Sequence, residues 1–439
     1  MPPILPIDPI TPHRFTLLLP SHPMTTTFDT DFHRYAELIA AHGLNIQPGH
    51  QVNINTEPIH RDFALLVAEK CYDRGAKYVE LALHDPRADQ MRINKSQGSD
   101  LTFVPGYYTE KFTELVDQQG ANLRIIGMEF PDLLAAADPN RVQTLIINRQ
   151  KAIKYFFDNG IGRSQVHWCV AAAATPLWGK KIYSALTPEK ACEALWQDIL
   201  AMCRADKPAC ADLWREHNER LQRRAKKLTE MKIKELRFLG PGTDLVVGLT
   251  DRAIWKGGQE RSTRGLWFEP NLPTEEVFTT PDFRKTSGHV RATRPFMING
   301  KMIENLSAKF VDGAIADFVA TNGADTFKAY IASDEGARRL GEVALVGIDS
   351  PVYKAGKVFQ EILFDENAAC HIAVGHAYKF CIEGGTDLES KGAAAIGCNE
   401  SAVHTDMMIS NADMDTSATL YNGKNVMLLQ AGEWMSEFR

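Results

Sequence analysis

From Phe32 to about residue 205 the sequence alternates amphipathic helical stretches with short apolar runs, and this restricts its fold more than any other feature. Phe32, Tyr35, Ala36 and Ile39 fall at i, i+3, i+4 and i+7, with Asp31 as candidate cap and Gly43 as stop, which predicts an amphipathic helix. Strand-length runs at residues 52–54, 78–83, 124–128 and 166–170 are separated by helical patterns at about 60–74 and 141–157, and Thr187-Pro188 opens another helix. Strands linked through helices pair in parallel. The first half is therefore expected to be an α/β domain with a mostly parallel sheet.

The pattern then changes. Residues 214–237 form a basic helical stretch carrying Arg223, Arg224, Lys226, Lys227, Lys232 and Lys234, with Trp214, Leu221 and Leu228 spaced by seven along one apolar stripe. That stripe predicts a connecting helix with solvated charges. After Gly240-Pro241-Gly242 come short β-rich segments, among them 245–249 and 306–310, the latter turning at Asp312-Gly313 as a hairpin would. The chain of 439 residues then divides into a proline-rich tail at 1–23, an α/β domain with its connecting helix at 24–235, and a β-rich α+β domain at 236–439. Seven of the 22 prolines lie in the tail, which favours an extended segment that the fold can dispense with, and Met24 is a second possible start.

Composition narrows the partners. A net charge of −6 is too mild to imply nucleic acid or an anionic membrane, and no apolar run approaches the length of a membrane helix. The eight cysteines form no CxxC pair, which reads as reduced thiols in a cytoplasmic protein and excludes a zinc–thiolate site.

Chemistry-bearing residues concentrate in the second half. His404 and Asp406 are two apart, so on a strand both would project the same way and could grip one cation. Upstream, a strand-like run from Leu363 ends in Asp365 and Glu366, and a helix is expected from Asn367, which would put His371, Gly375 and Tyr378 on one face. The plain alternative is a packed histidine and tyrosine on a buried helix. Glu342 opens the apolar run 343–346, and Glu276 lies in Asn271-Leu272-Pro273-Thr274-Glu275-Glu276-Val277-Phe278-Thr279. A carboxylate beside a buried strand must pair, protonate or coordinate metal. His376 is expected to turn to solvent or to support a neighbouring ligand.

These blocks, in this order, resemble the thermophilic-type metallo-aminopeptidases, the aminopeptidase T and aminopeptidase S group. The likeness rests on 271–279, on Glu335-Gly336-Ala337-Arg338-Arg339-Leu340-Gly341-Glu342-Val343-Ala344-Leu345-Val346, on 363–371 and on His404-Thr405-Asp406, with 35–49 resembling the family's opening. It covers nearly the whole chain from Met24. Two departures stand out: Gly347 replaces a proline usual after that strand, and 410–417 lack the expected glycine turn.

The resemblance implies a hydrolase in which Glu276, Glu342, His371, His404 and Asp406 bind two divalent metal ions per subunit, zinc, cobalt, manganese or magnesium. It makes Glu366 a further ligand or the general base, Tyr378 the phenol that polarises the substrate carbonyl, and 236–439 the catalytic metal-binding domain. The expected substrates are peptides with a free amino terminus, and the implied assembly is a homodimer. Two other readings remain at this stage. His371, His404 and Asp406 alone could hold one ferrous ion for a ring-cleaving dioxygenase, or metal could stabilise a non-catalytic peptide-binding protein.

Overall fold

The computed structural model describes residues 26–439. The proline-rich tail and the candidate start at Met24 lie outside the described residues. The expected parallel sheet is present as five strands in the order Tyr78–Leu83, Gln51–Thr56, Ala121–Ile126, His167–Ala172 and Asn271–Leu272, every neighbour parallel. The last strand comes from the second half of the chain, pairing Asn271 with Val170. Helices Arg61–Asp73, Gly106–Asp117, Pro139–Ala152 and Pro188–Met202 are among those between and after the strands.

The first helix runs Thr26–Leu38 and continues through Ile39–Gly43. Asp31 is therefore inside it and pairs with Arg34 at 2.7 Å instead of capping. The apolar spacing located the helix, but a start at Asp31 is too late, because Phe28, four positions before Phe32, continues the same period ahead of it.

The basic helix spans Cys210–Glu230, and the next strand, Ile233–Gly240, begins almost at once. Pro241-Gly242 is a hairpin turn leading into Thr243–Gly248. Arg224 is buried, not solvated: its guanidinium lies 4.1 Å from the Trp434 ring centroid and donates to the Phe438 carbonyl oxygen at 2.8 Å, tying the helix to the last turn of the chain. The hairpin at Asp312-Gly313 is as expected, joining Ser307–Val311 to Ala314–Val319.

Besides two short two-stranded ribbons, the β-rich half contains two larger antiparallel sheets. Eight strands from Ala314–Val319 to Glu433–Trp434 form the larger, and Val277–Thr279, Leu340–Leu345, His371–Gly375 and His404–Met408 form the smaller. In the smaller sheet Val277, Val343, Leu345, Ile372, Val374 and Met407 join the core of the second half. Side chains alternate along a strand, so the intervening residues of all four strands face the other way.

Two expectations around His371 are corrected here. Residues 371–375 are a strand, whereas Ile362–Asp365 and Glu366–Ala368 are short helical turns. All five residues of 371–375 are buried, so the segment reads as a continuous apolar run with β-branched Ile372 and Val374. Such a run suits a strand covered on both faces. Gly375 does not clear space between His371 and Tyr378: at φ +104° its backbone lies against the Val403 carbonyl, where a Cβ would approach within 2.0 Å.

Candidate metal centre and active site

The register of the small sheet assembles the charged residues. Glu342 and Asp406 both pair with Ala373 from opposite sides, and His404 pairs with Gly375. Phe278 pairs with Ala344. Residues opposite each other in antiparallel strands share a face, as do residues two apart. Glu276, Glu342, His371, His404 and Asp406 therefore project from one face, above Ala344 and Ala373, whose small size leaves room for them.

The side chains converge in two groups. Glu276, Glu342 and His371 offer ligand atoms all within 4.8 Å of one another, as do Glu342, His404 and Asp406, so Glu342 belongs to both. His371 Nε2 lies 2.9 Å from Glu276 Oε2, 3.9 Å from Glu342 and 4.0 Å from Asp406. His404 Nε2 lies 3.5 Å from Glu342 and 3.7 Å from Asp406. The two histidines fall in separate groups, so the single-iron reading gains no support from the geometry.

Each histidine is aimed by a backbone carbonyl. His371 Nδ1 faces the Ala369 oxygen at 3.1 Å, and His404 Nδ1 faces the His376 oxygen at 2.8 Å. A carbonyl only accepts, so Nδ1 carries the hydrogen and Nε2 is the nitrogen directed at the carboxylates. His376 thus supports His404 through its main chain. It is not turned to solvent on a helix but half-buried after the strand, and burial, then the neighbouring His404, push its imidazole down to about 4.

Electrostatics marks the cluster as costly without a cation. Burial, then Glu276 and Asp406, push the Glu342 carboxyl well above the usual range. Burial, Asp406 and Glu276 do the same to Glu366. Burial opposes charge on His371, but Glu276, Asp406 and Glu342 outweigh it and hold its imidazole well above the ordinary value. Glu276 Oε2 is buried and lacks an aligned hydrogen bond despite the nearby His371 nitrogen. An orphaned carboxylate oxygen among imidazole nitrogens and further crowded carboxylates fits a divalent cation, and a donor set of oxygen and nitrogen without thiolate suits zinc, cobalt, manganese or magnesium.

Glu366 and Tyr378 line the same cavity but stand outside both groups. The Tyr378 ring lies 5.4 Å from that of His404 and stacks at 5.1 Å on Phe380. Burial, then Glu342, Asp406, Glu366 and Glu276, push its phenol up, so it is a neutral hydrogen-bond donor. Glu275, adjacent to Glu276, turns elsewhere, pairing with Arg204 at 2.7 Å and lying 3.6 Å from His217. Burial raises its carboxyl, but these partners outweigh that and hold it low.

Sequence reasoning missed Asn367 and part of the cavity wall. Asn367 is fully buried; its Oδ1 accepts from the Glu275 N–H at 2.6 Å, while Nδ2 donates to the Leu363 carbonyl at 2.8 Å and lies 3.5 Å from Glu366 Oε1. It ties the segment bearing Glu276 to the segment bearing Glu366. No motif announced it; its position beside Glu366 was the only signal. The cavity, about 620 Å³, is lined not only by the metal candidates but also by the parallel sheet and its loops, including Asn55, Arg124 and Trp168. Ligands of open α/β sheets sit outside the carboxyl ends of strands, and that rule could have pointed to this wall.

Comparison with known proteins agrees with this geometry. Residues 28–434 match the family model described as thermophilic metalloprotease (M29). Aminopeptidase 2 of Geobacillus stearothermophilus is 35% identical over 410 residues, 93% of this chain and 99% of that protein. Aminopeptidase T of Thermus aquaticus is 36% identical over 93% of this chain and 99% of its own length. The solved structure of wild-type AmpT from Thermus thermophilus superposes with a TM-score of 0.85 at 34% identity, covering 93% of this chain and all of that one.

Proposed function

The chain belongs to the thermophilic metalloprotease family M29 and is a peptide-bond hydrolase, and from that premise we propose that it is a two-metal aminopeptidase releasing amino-terminal residues from peptides. The observation carrying this reading is the sharing of Glu342 between two ligand groups on one sheet face at the floor of a substrate-sized cavity. In it Glu276, Glu342 and His371 would hold one ion and Glu342, His404 and Asp406 the other. Bound cations supply Lewis-acid polarisation of the scissile carbonyl and a water acidic enough to lose its proton near neutral pH.

The chain's own residues do the rest. Glu366, outside both ligand groups and inside the cavity, serves as general base, taking a proton from the attacking water and passing it to the departing amine. The neutral Tyr378 hydroxyl donates to the substrate carbonyl oxygen as negative charge develops there. The parallel-sheet wall limits the space available to the peptide. Among the described residues no helix is long and apolar enough to cross a membrane, and all eight cysteines are free and buried, which favours a reducing, cytoplasmic setting. The homodimer, the 24–235 and 236–439 division and the individual residue roles belong to the same proposal.

The test is hydrolysis of leucyl-p-nitroanilide beside its N-acetylated analogue after chelation and restoration of zinc, cobalt, manganese or magnesium. Metal-restored cleavage of only the free-amine substrate is expected. Absence of cleavage with every metal refutes the reading.

A further inference from the structure

Lys256 lines the cavity without being part of the chemistry described above. Its backbone is locked to the ligand-bearing strand: the Lys256 N–H donates to the Phe278 carbonyl and the Phe278 N–H to the Lys256 carbonyl, both at 2.9 Å, as an antiparallel bridge. Bridged residues project to the same side, and Phe278 shares its side with Glu276 two residues earlier. The Lys256 side chain therefore emerges on the face that carries the metal candidates.

What it emerges beside is a group of aromatic rings. The Phe278 ring lies 6.2 Å from that of Tyr378 and 6.3 Å from that of Phe380, and Lys256 Nζ lies 6.0 Å from the Phe380 centroid. The residue is half-buried. Among the described residues its ammonium forms no ion pair with a carboxylate within 4.0 Å; Glu260 is a charged neighbour that it influences without pairing. A half-buried ammonium pairs when it can, because desolvation is otherwise uncompensated. Here the unpaired cation stands at the edge of an aromatic cluster, Tyr378 and Phe380 stacked and Phe278 edge-on to both, that leads to the ligand carboxylates, an arrangement suited to a substrate whose apolar part packs against the rings and whose negative group meets the ammonium.

Resting on the aminopeptidase reading, we propose that Lys256 is a specificity-determining residue that binds a carboxylate of the peptide substrate. Peptides offer that group in two places: the acidic side chain of the first residue, or the free carboxyl terminus of a short peptide.

The experiment distinguishes them with the metal-loaded full chain and two matched pairs: glutamyl- against glutaminyl-p-nitroanilide, and Leu-Gly against Leu-Gly amide. The quantity read is the ratio of kcat/KM within a pair, so a general loss of activity in a variant cancels. In the wild type one pair favours the acid. Lys256→Met keeps the apolar stem and lowers that ratio about tenfold, the scale of one lost charge-assisted contact, whereas Lys256→Arg retains it. The pair that responds identifies the source of the carboxylate. Ratios in both pairs equal within about twofold between wild type and Lys256→Met, with all four substrates cleaved, overturn the proposal and leave the aminopeptidase standing. Failure of the wild type to cleave any of the four overturns both.

Discussion

Returning a divalent cation to metal-free protein should expel protons, and the cluster sets how many. Glu342, Glu366 and His371 each favour the protonated form, the carboxyls through burial and the charges of Glu276 and Asp406, the imidazole through the surrounding carboxylates that outweigh its burial. Metal ligands must be deprotonated, and His371 can ligate only through a bare Nε2 because Nδ1 faces the Ala369 carbonyl. Loading at pH 7 should therefore release protons, and Glu342→Gln, which has no proton to give at that position, should release about one fewer. Each released proton strengthens apparent affinity about tenfold per pH unit, so binding tightens as pH rises. Isothermal titration in two buffers of different ionisation enthalpy counts the protons directly.

The same shifts fix the sign of a stability effect. All three folded values are raised above the ordinary 4.5 or 6.5, so their contribution is fully present below those values and lost as pH rises toward the folded ones. Within that range each costs the metal-free chain at most about 1.4 kcal/mol per pH unit, and bound cations remove that dependence. Release of fewer than about one proton by the wild type at pH 7, or equal counts in wild type and Glu342→Gln, would refute the electrostatic account of the cluster.

Further outcomes follow from single contacts. Glu366→Gln should lower kcat by roughly 10²–10⁴ with an unchanged circular-dichroism spectrum; an active variant removes Glu366 from the mechanism. Asn367→Ala strands the buried Glu275 N–H and Leu363 carbonyl, costing about 2–5 kcal/mol, read as a lower urea midpoint; an unchanged midpoint shows that the tie between the two segments is dispensable. Gly347→Ala places a Cβ 2.4 Å from Asp349 Oδ1 and 2.5 Å from Trp434 Cδ1, so about 1–3 kcal/mol of destabilisation is expected, and an unaltered thermal midpoint would mean that this loop relaxes freely.

The last of these bears on how the sequence is read. Gly347 is a departure from the family's proline, and only the structure supplies a reason: Trp434, 87 positions further along, packs where a side chain would be. His371 shows the opposite limit. Its chemistry was legible from its neighbours, but a run buried on both faces has no period to read, and a helix was expected where a strand formed. His404 and Asp406 were placed correctly because strand alternation makes a spacing of two meaningful without knowledge of partners. Of the two glutamates at 275 and 276, the resemblance named Glu276, and the structure adds that Glu275 pairs with Arg204 instead.

The sequence by itself determined the alternating helices and strands of the first half and the hairpin at Asp312-Gly313, and its resemblance to a known family supplied the candidate ligands. The elements follow from local periodicity and residue chemistry, both carried along the covalent chain. Only the tertiary structure decided how the candidate ligands group, because that depends on the register by which Glu342 and Asp406 flank Ala373. It also decided that the cavity is lined in part by the first half and bordered by Lys256, because Asn271–Leu272 joins the parallel sheet just before Glu276 enters the site. Pairings of this kind, about a hundred residues apart between Val170 and Asn271, are fixed by the burial of whole sheet faces, which no local window of sequence contains.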